Sequence, residues 1–487
     1  CNIIALFLHR DLKKHYKLIK MELKMKLKCL AIIAFGLLST TFAFSQEVVD
    51  TLNVLDQRVS TLEDVTLVSK KLKISGYIQT QWQSSQIDSL GKGSQDMKVG
   101  TAKAGSETTD LNRFGIRRGR IKMAYEDFGC TGVLQFDLTE KGMALKDAYL
   151  NILDPWVGYL SLKGGVFDRP FGYEISYSSS RRESPERSRI FQTLFPDERD
   201  LGAMLVLQAP KTSNWNVLKL EAGLFSGNGI YQDNDSKKDF IGHLSYNKAL
   251  SSDMKIGLGT SLYSGSVAQT DTNVYVMDNG AFKRNVGTSP NGFAKRQYIG
   301  FDGQLSLNSV LGLTTIRAEY IFGDQPGRSD NASSPKSGLL PGKDASNNDA
   351  VSSTTYTTTA TGTPLVYTTK ATAGTATGTP TYIRKMAGGY VHFIQDIADT
   401  KHSIVVKYDW YDPNTNAIGS QIGIKDSKTS KADIAYSTLG LGYMYRMNNN
   451  IRIMAYYDMV SNEKTVLKNY FADLKDNLVT VRLQYKF

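Results

Sequence analysis

The feature that most constrains this chain is a strict period of two, sustained over long segments and repeated from Leu72 to the C-terminus. The last segment puts Val479, Val481, Leu483, Tyr485 and Phe487 on one face and Thr480, Arg482, Gln484 and Lys486 on the other. Leu218, Leu220, Ala222 and Leu224 stand against Lys219, Glu221 and Gly223 in the same way, and Ile404, Val406, Tyr408 and Trp410 against Ser403, Lys407 and Asp409. Such alternation marks a strand with one apolar and one wet face. A single strand of a soluble sandwich reads alike, so number, length and connection must decide. Candidate strands fall near 72–83, 112–126, 130–141, 143–154, 157–167, 201–209, 215–225, 238–247, 253–264, 296–307, 313–322, 384–395, 402–411, 434–445, 451–460 and 478–487, sixteen in all. Many reach the ~10 residues that a tilted strand needs to cross a bilayer.

The connections sort into two kinds. Every second one is short: Asp127-Phe128-Gly129, Asp154-Pro155-Trp156, then 210–214, 248–252, 308–312, 396–401 and 446–450. The others, 168–200, 265–295 and 323–383 among them, are mostly long, and only the turn near 142 breaks the rule. One rim of tight turns and one of long loops is what a transmembrane barrel requires, whereas a sandwich has no reason to produce it. The expected fold is all-β: a sixteen-stranded antiparallel barrel over residues 71–487, multi-pass in a bacterial outer membrane, with its third long connection folded inward.

The upstream residues fit that destination. Lys24, Lys26 and Lys28 precede the apolar run 30–38, and Ala43 and Ser45 follow at signal-peptidase spacing, so residues 1–45 read as upstream sequence and signal peptide cleaved after Ser45, with Met21 or Met25 as initiator. Removing them takes eight of 58 Lys and Arg and two of 47 Asp and Glu, which leaves a net charge of +5 instead of +11. A balance so even argues against nucleic acid as a partner. Cys130 is the one cysteine left, which excludes an intrachain disulfide. Within 46–70, Val48, Leu52, Leu55, Val59 and Leu62 recur at three- and four-residue steps, as in a short coiled coil or a singly docked amphipathic helix. The Thr-, Ala- and Gly-rich stretch 323–383 repeats Ala-Thr-Gly-Thr-Pro at 360–364 and 376–380 and reads as an exposed outer loop.

If the apolar faces meet lipid, the polar faces line the interior. The alternation sends inward Lys73, Arg118, Arg120, Lys122, Lys163, Lys219, Lys255, Arg317, Lys407, Arg452, Arg482 and Lys486, against Asp137, Asp147, Glu221, Asp302, Glu319, Asp409 and Asp458. The excess is positive. Arg118, Arg120 and Lys122 share a face at about 7 Å steps, a ladder of weak anion sites, while Arg117 falls on the lipid-side register. The connection 168–200 carries Arg169, Arg181, Arg182, Arg187, Arg189 and Arg199 beside Glu174, Glu183, Glu186, Asp197 and Glu198. Arginines on an inward loop act at close range in a constriction. The predicted anion pathway is therefore Arg118, Arg120, Lys122, Lys163, Arg169, Arg181, Arg182, Arg187, Arg189 and Arg199.

Four stretches carry a resemblance: Arg117-Arg118-Gly119-Arg120, Phe167-Asp168-Arg169-Pro170-Phe171-Gly172-Tyr173-Glu174, Pro185-Glu186-Arg187-Ser188 and Pro196-Asp197-Glu198-Arg199-Asp200-Leu201-Gly202. Over essentially the whole mature chain the sequence resembles the phosphate-selective porins O and P, a family of outer-membrane anion porins. The resemblance implies a trimer that passes small anions, phosphate foremost, with Arg187 and Arg199 at the constriction and Arg118 and Arg120 in the ladder. The C-terminal Tyr485-Lys486-Phe487 also resembles the signal read by barrel-assembly machinery. A general channel of little selectivity and a surface-binding barrel remain open as alternatives. Catalytic chemistry is not expected: His243 and His392 fall on the inner face, His402 sits by a short turn, and no nucleophile motif, phosphate loop, cofactor fingerprint or metal spacing occurs.

Overall fold

The alternation closes into a barrel. The computed structural model describes residues 71–85, 98–99, 102–103, 111–140, 142–231, 233, 235–269, 271, 273–285, 292–335 and 379–487. The signal peptide, the 46–70 segment and most of the repeat-bearing loop lie outside the described residues.

The first five wall strands are β1 (Leu72–Ser85), β2 (Leu111–Asp127), β3 (Cys130–Thr139), β4 (Gly142–Leu153) and β5 (Leu160–Asp168). Next come β6 (Arg199–Gln208), β7 (Leu218–Phe225), β8 (Asp239–Ala249), β9 (Met254–Ala268), β10 (Phe293–Ser309) and β11 (Gly312–Gly327). The wall ends with β12 (Thr381–Asp396), β13 (His402–Asp412), β14 (Tyr436–Arg446), β15 (Ile451–Asn462) and β16 (Leu478–Lys486). Each strand pairs antiparallel with its neighbours, and β1 pairs with both β2 and β16, which closes the circle. The seam is tight: Gly76 and Phe487 exchange backbone bonds of 3.0 Å in both directions. The Phe487 ring lies over Gly76, where a Cβ would come within 2.6 Å of Cζ, so the last residue needs glycine opposite it.

Closure explains why one face can be greasy. Ile74, Leu150, Leu205, Leu258, Phe301 and Leu483 point outward with 48–61% of their surface bare, an apolar belt that water would penalise and lipid accepts. Gln79, Gln81, Thr480, Arg482 and Gln484 on the same seam point inward and are buried. Sixteen strands that are apolar outside, polar inside and joined by alternating short and long connections form a multi-pass barrel of the bacterial outer-membrane kind.

The long connections build two further layers. Between β9 and β10, a hairpin of Val274–Asp278 with Ala281–Asn285 pairs parallel to the start of β12. Its Met277 and Phe282 pack with Tyr382 of β12 and with Ile422, Ile434, Tyr470 and Leu474 from neighbouring connections. The second layer is the connection 169–198, which enters the barrel.

Candidate functional site

The entry of 169–198 is an apolar event first. Phe171, Ile175, Ile190, Phe191, Leu194 and Phe195 of this loop, the last four on or just beyond a short helix α1 (Arg189–Leu194), are at most 2% exposed. They pack on the inward side chains Phe167, Met204, Phe225, Ile241, Tyr263, Tyr298, Ile321, Met386, Tyr390 and Tyr411 of β5–β13. At roughly 1.5–3 kcal/mol per side chain this burial favours docking by on the order of 10 kcal/mol. Polar bonds fix where the rest of the loop goes. Gly172 N donates to Ser261 at 2.8 Å, Tyr77 and Ser179 share a hydroxyl bond of 2.5 Å, and Gln79 Nε2 donates to the Ser179 carbonyl at 3.0 Å. Arg317 Nη1 meets Glu183 at 2.7 Å and Lys407 Nζ meets Glu174 at 2.7 Å. One connection thus touches β1, β9, β11 and β13 from inside.

The loop leaves a pocket of about 400 Å³ against β2–β4. Its charged lining is Arg117, Arg118, Arg120, Lys146 and Arg187 against Asp137, Glu186, Asp197 and Glu198. Two β-bulges aim the bases. The β1–β2 register slips between Gln79 and Thr80, which leaves Arg117 as the extra residue, and the β3–β4 register slips between Gln135 and Phe136, which leaves Lys146 as the extra residue. A bulge turns one more side chain to the same side of the sheet. Arg117 is accordingly an inner residue that donates to Glu186 at 2.6 and 2.7 Å, and its expected place on the lipid face is corrected. Alternation could not find Lys146, and among the described residues it has no carboxylate at ion-pairing distance.

Much of the positive charge inside is paired, by acids of the loop and by acids of the wall itself. Glu186 receives Arg117, Arg118 at 3.1 Å and Arg482 at 3.1 Å; Asp137 receives Arg120 at 3.2 Å; Glu221 receives Lys219 at 2.7 Å. Burial alone would raise the Glu186 carboxyl, but the Arg117, Arg118 and Arg482 guanidiniums outweigh it and hold it well below the usual carboxylate range. For Glu174, burial is likewise overridden by Lys407 and Arg182, so this carboxyl too is lowered. Asp197 and Glu198 take left-handed backbone angles, φ 64° and 71°, uncommon for carboxylate side chains in succession. This turn carries Glu198 to both Arg187 and Arg199.

Of the ten predicted pathway residues, Arg118, Arg120 and Arg187 meet at the pocket. Arg199 stands behind it, bonded to Asp147 at 3.0 Å. Lys122 is half-buried toward the short-turn rim. Lys163 lies over the Tyr149 and Phe167 rings at 4.9 and 5.2 Å, and Arg169 is bound to Asp200 at 3.0 Å. Arg181 is exposed, and Arg189 stacks on Tyr436 at 4.0 Å. Arg182 is buried apart from the pocket. His243 bonds Asp302 at 3.0 Å, in keeping with a structural polar role.

No family model matches the chain, and no curated protein does. Among solved structures, the chain is similar to the outer membrane protein OmpT of Vibrio cholerae in its trimer form, with 13% identity over 85% of this chain and 99% of that one and a TM-score of 0.45. It is also similar to the outer membrane channel DcaP of Acinetobacter baumannii, with 10% identity over 85% and 97% and a TM-score of 0.48. The high-pH structure of Pseudomonas putida OprB gives 7% identity over 87% and 96% and a TM-score of 0.49. With every one of these TM-scores below 0.5, the assignment of the barrel rests on its own strand register, given above.

Proposed function

We propose that this barrel is a porin: a passive channel for small solutes that favours anions, with inorganic phosphate the foremost of them. The observation that carries the reading is the pocket between the inward loop and β2–β4, where two bulges add Arg117 and Lys146 to Arg118, Arg120 and Arg187. Five bases against four acids give a small net attraction for anions. The pairing of most bases keeps each site weak, so that an ion can leave as readily as it enters. Arg also offers paired donors that match phosphate oxygens. The family resemblance points to the same solute and to a homotrimer. The exposed Phe487 ring at the seam is the feature that barrel-assembly machinery would read.

A second reading is a channel of little selectivity, favoured by one fact: Glu186 alone engages three arginines. The test for both is the purified chain in a planar bilayer under a potassium chloride gradient. A reversal potential of the anion-selective sign, with phosphate added as a concentration-dependent blocker, is the expected result. A potential near zero supports the second reading, and an absence of any current removes both.

A further inference from the structure

Away from the pocket the loop faces a second stretch of wall whose chemistry conduction does not explain. Arg317 of β11 pairs across strands with His392 of β12, and His392 with Lys407 of β13, so three nitrogen bases stand in one row. The loop engages the outer two, through Glu183 on Arg317 and Glu174 on Lys407. The middle one is left. His392 is 4% exposed, and its Nε2 has no hydrogen-bond partner among the described residues. Arg182, beside Glu183 in the loop, is 2% exposed and close enough for its charge to act on His392. Its Nε, Nη1 and Nη2 all lack a partner among the described residues.

An arginine cannot shed its proton to escape burial. The carboxylates that act most strongly on it are engaged elsewhere: Glu174 by Lys407 and the Ser188 N–H, Glu186 by Arg117, Arg118 and Arg482; the adjacent Glu183 is held by Arg317. Its other charged neighbours include Arg118, Arg187, Arg452 and Arg482. A desolvated guanidinium with every nitrogen unmet, set among cations, is one of the most costly arrangements a fold can hold. Water could meet the donors but would add no negative charge, and the nearby carboxylates are already shared with other cations. A tetrahedral oxyanion meets both needs, because two of its oxygens match the guanidinium fork and a third can accept from an imidazole protonated on Nε2.

We propose that a small inorganic oxyanion of the phosphate or sulfate class is enclosed between the inward loop and the β11–β13 wall, held by Arg182 and His392. Neither residue lines the pocket, so this anion is a structural ligand that fastens the loop, separate from any solute in transit.

The test is thermal unfolding of the full chain in detergent, titrated with inorganic phosphate from a Tris chloride buffer. The wild-type midpoint rises saturably with phosphate. In Arg182→Met the specific, saturable rise is gone, and whatever general salting effect phosphate has remains as the baseline. In Lys146→Met, a pocket variant, the rise persists. In His392→Phe, which keeps a ring but has no donor, half-saturation requires about tenfold more phosphate, as loss of one bond to a charged group implies. A wild-type midpoint indifferent to phosphate overturns the proposal, as does a rise kept undiminished by Arg182→Met or unshifted by His392→Phe. A rise abolished by Lys146→Met but kept by Arg182→Met assigns the anion to the pocket and overturns it equally.

Discussion

Glu186→Gln gives the sharpest test of the pocket, because one carboxylate there restrains three guanidiniums. The substitution preserves shape and one accepting oxygen while raising the pocket's charge by one. A sphere of about 400 Å³ has a radius of roughly 5 Å, which sets the distance from the removed charge to a passing ion. At that distance a unit charge in water acts with about 0.8 kcal/mol, and a Debye length of about 10 Å in 0.1 M salt cuts this to roughly 0.5 kcal/mol. The local anion concentration then rises about twofold and the local cation concentration falls about twofold. The permeability ratio should shift by about four- to fivefold toward anions, read as a change in reversal potential in a dilute salt gradient. The shift should shrink in 1 M salt, where the Debye length is about 3 Å. The barrel wall does not depend on Glu186, so the variant should still show the folded, heat-modifiable band on a gel. A ratio unchanged within error, or moved toward cations, would refute the view that ions pass beside this carboxylate.

Three further outcomes follow from the same geometry. Lys146→Met removes a pocket base with no carboxylate partner and should lower anion preference by a similar few-fold factor in the same assay, so a value equal to wild type would exclude Lys146 from the path. The difference between wild type and Glu186→Gln should persist as pH is lowered from 7 to 4, because the folded-state pKa lies well below the usual range. By the same sign, the stability that this carboxylate contributes is present above its unfolded pKa of about 4.3 and is lost only as pH falls through the lower folded value; convergence of the two proteins near pH 4.5 would contradict this. Phe191→Ala opens the loop core, where Phe191 is 1% exposed beside Tyr390 and Phe195. It should cost about 3–5 kcal/mol of loop docking, seen as larger or noisier single-channel currents from a barrel that still closes; steps as quiet as those of wild type would count against a docked loop as the constriction.

The wall was legible in the sequence because lipid and water impose one rule at every strand, and a rule applied sixteen times survives local exceptions. The loop's destination was less legible, since its arginines drew attention while the six apolar side chains that hold it inside are scattered over 171–195 and find partners on nine strands. Pairing was harder still: Glu174, Glu183 and Glu186 lie close to the loop arginines in sequence yet reach Lys407, Arg317, Arg118 and Arg482 on four wall strands distant in sequence. The bulges are the instructive case, because their signal was present. Along β2 the exposed apolar residues change from Phe114 and Ile116 to Ile121 and Tyr125, and along β4 from Met143 and Leu145 to Leu150 and Ile152. In each strand the greasy face moves from one parity to the other, which a continuous strand cannot do while lipid stays on one side. The only way to keep both halves facing lipid is to insert one residue that pairs with nothing, and in both strands that residue is a base. A slip in the phase of alternation, more than the density of arginine, is therefore the feature that locates the pocket in this sequence.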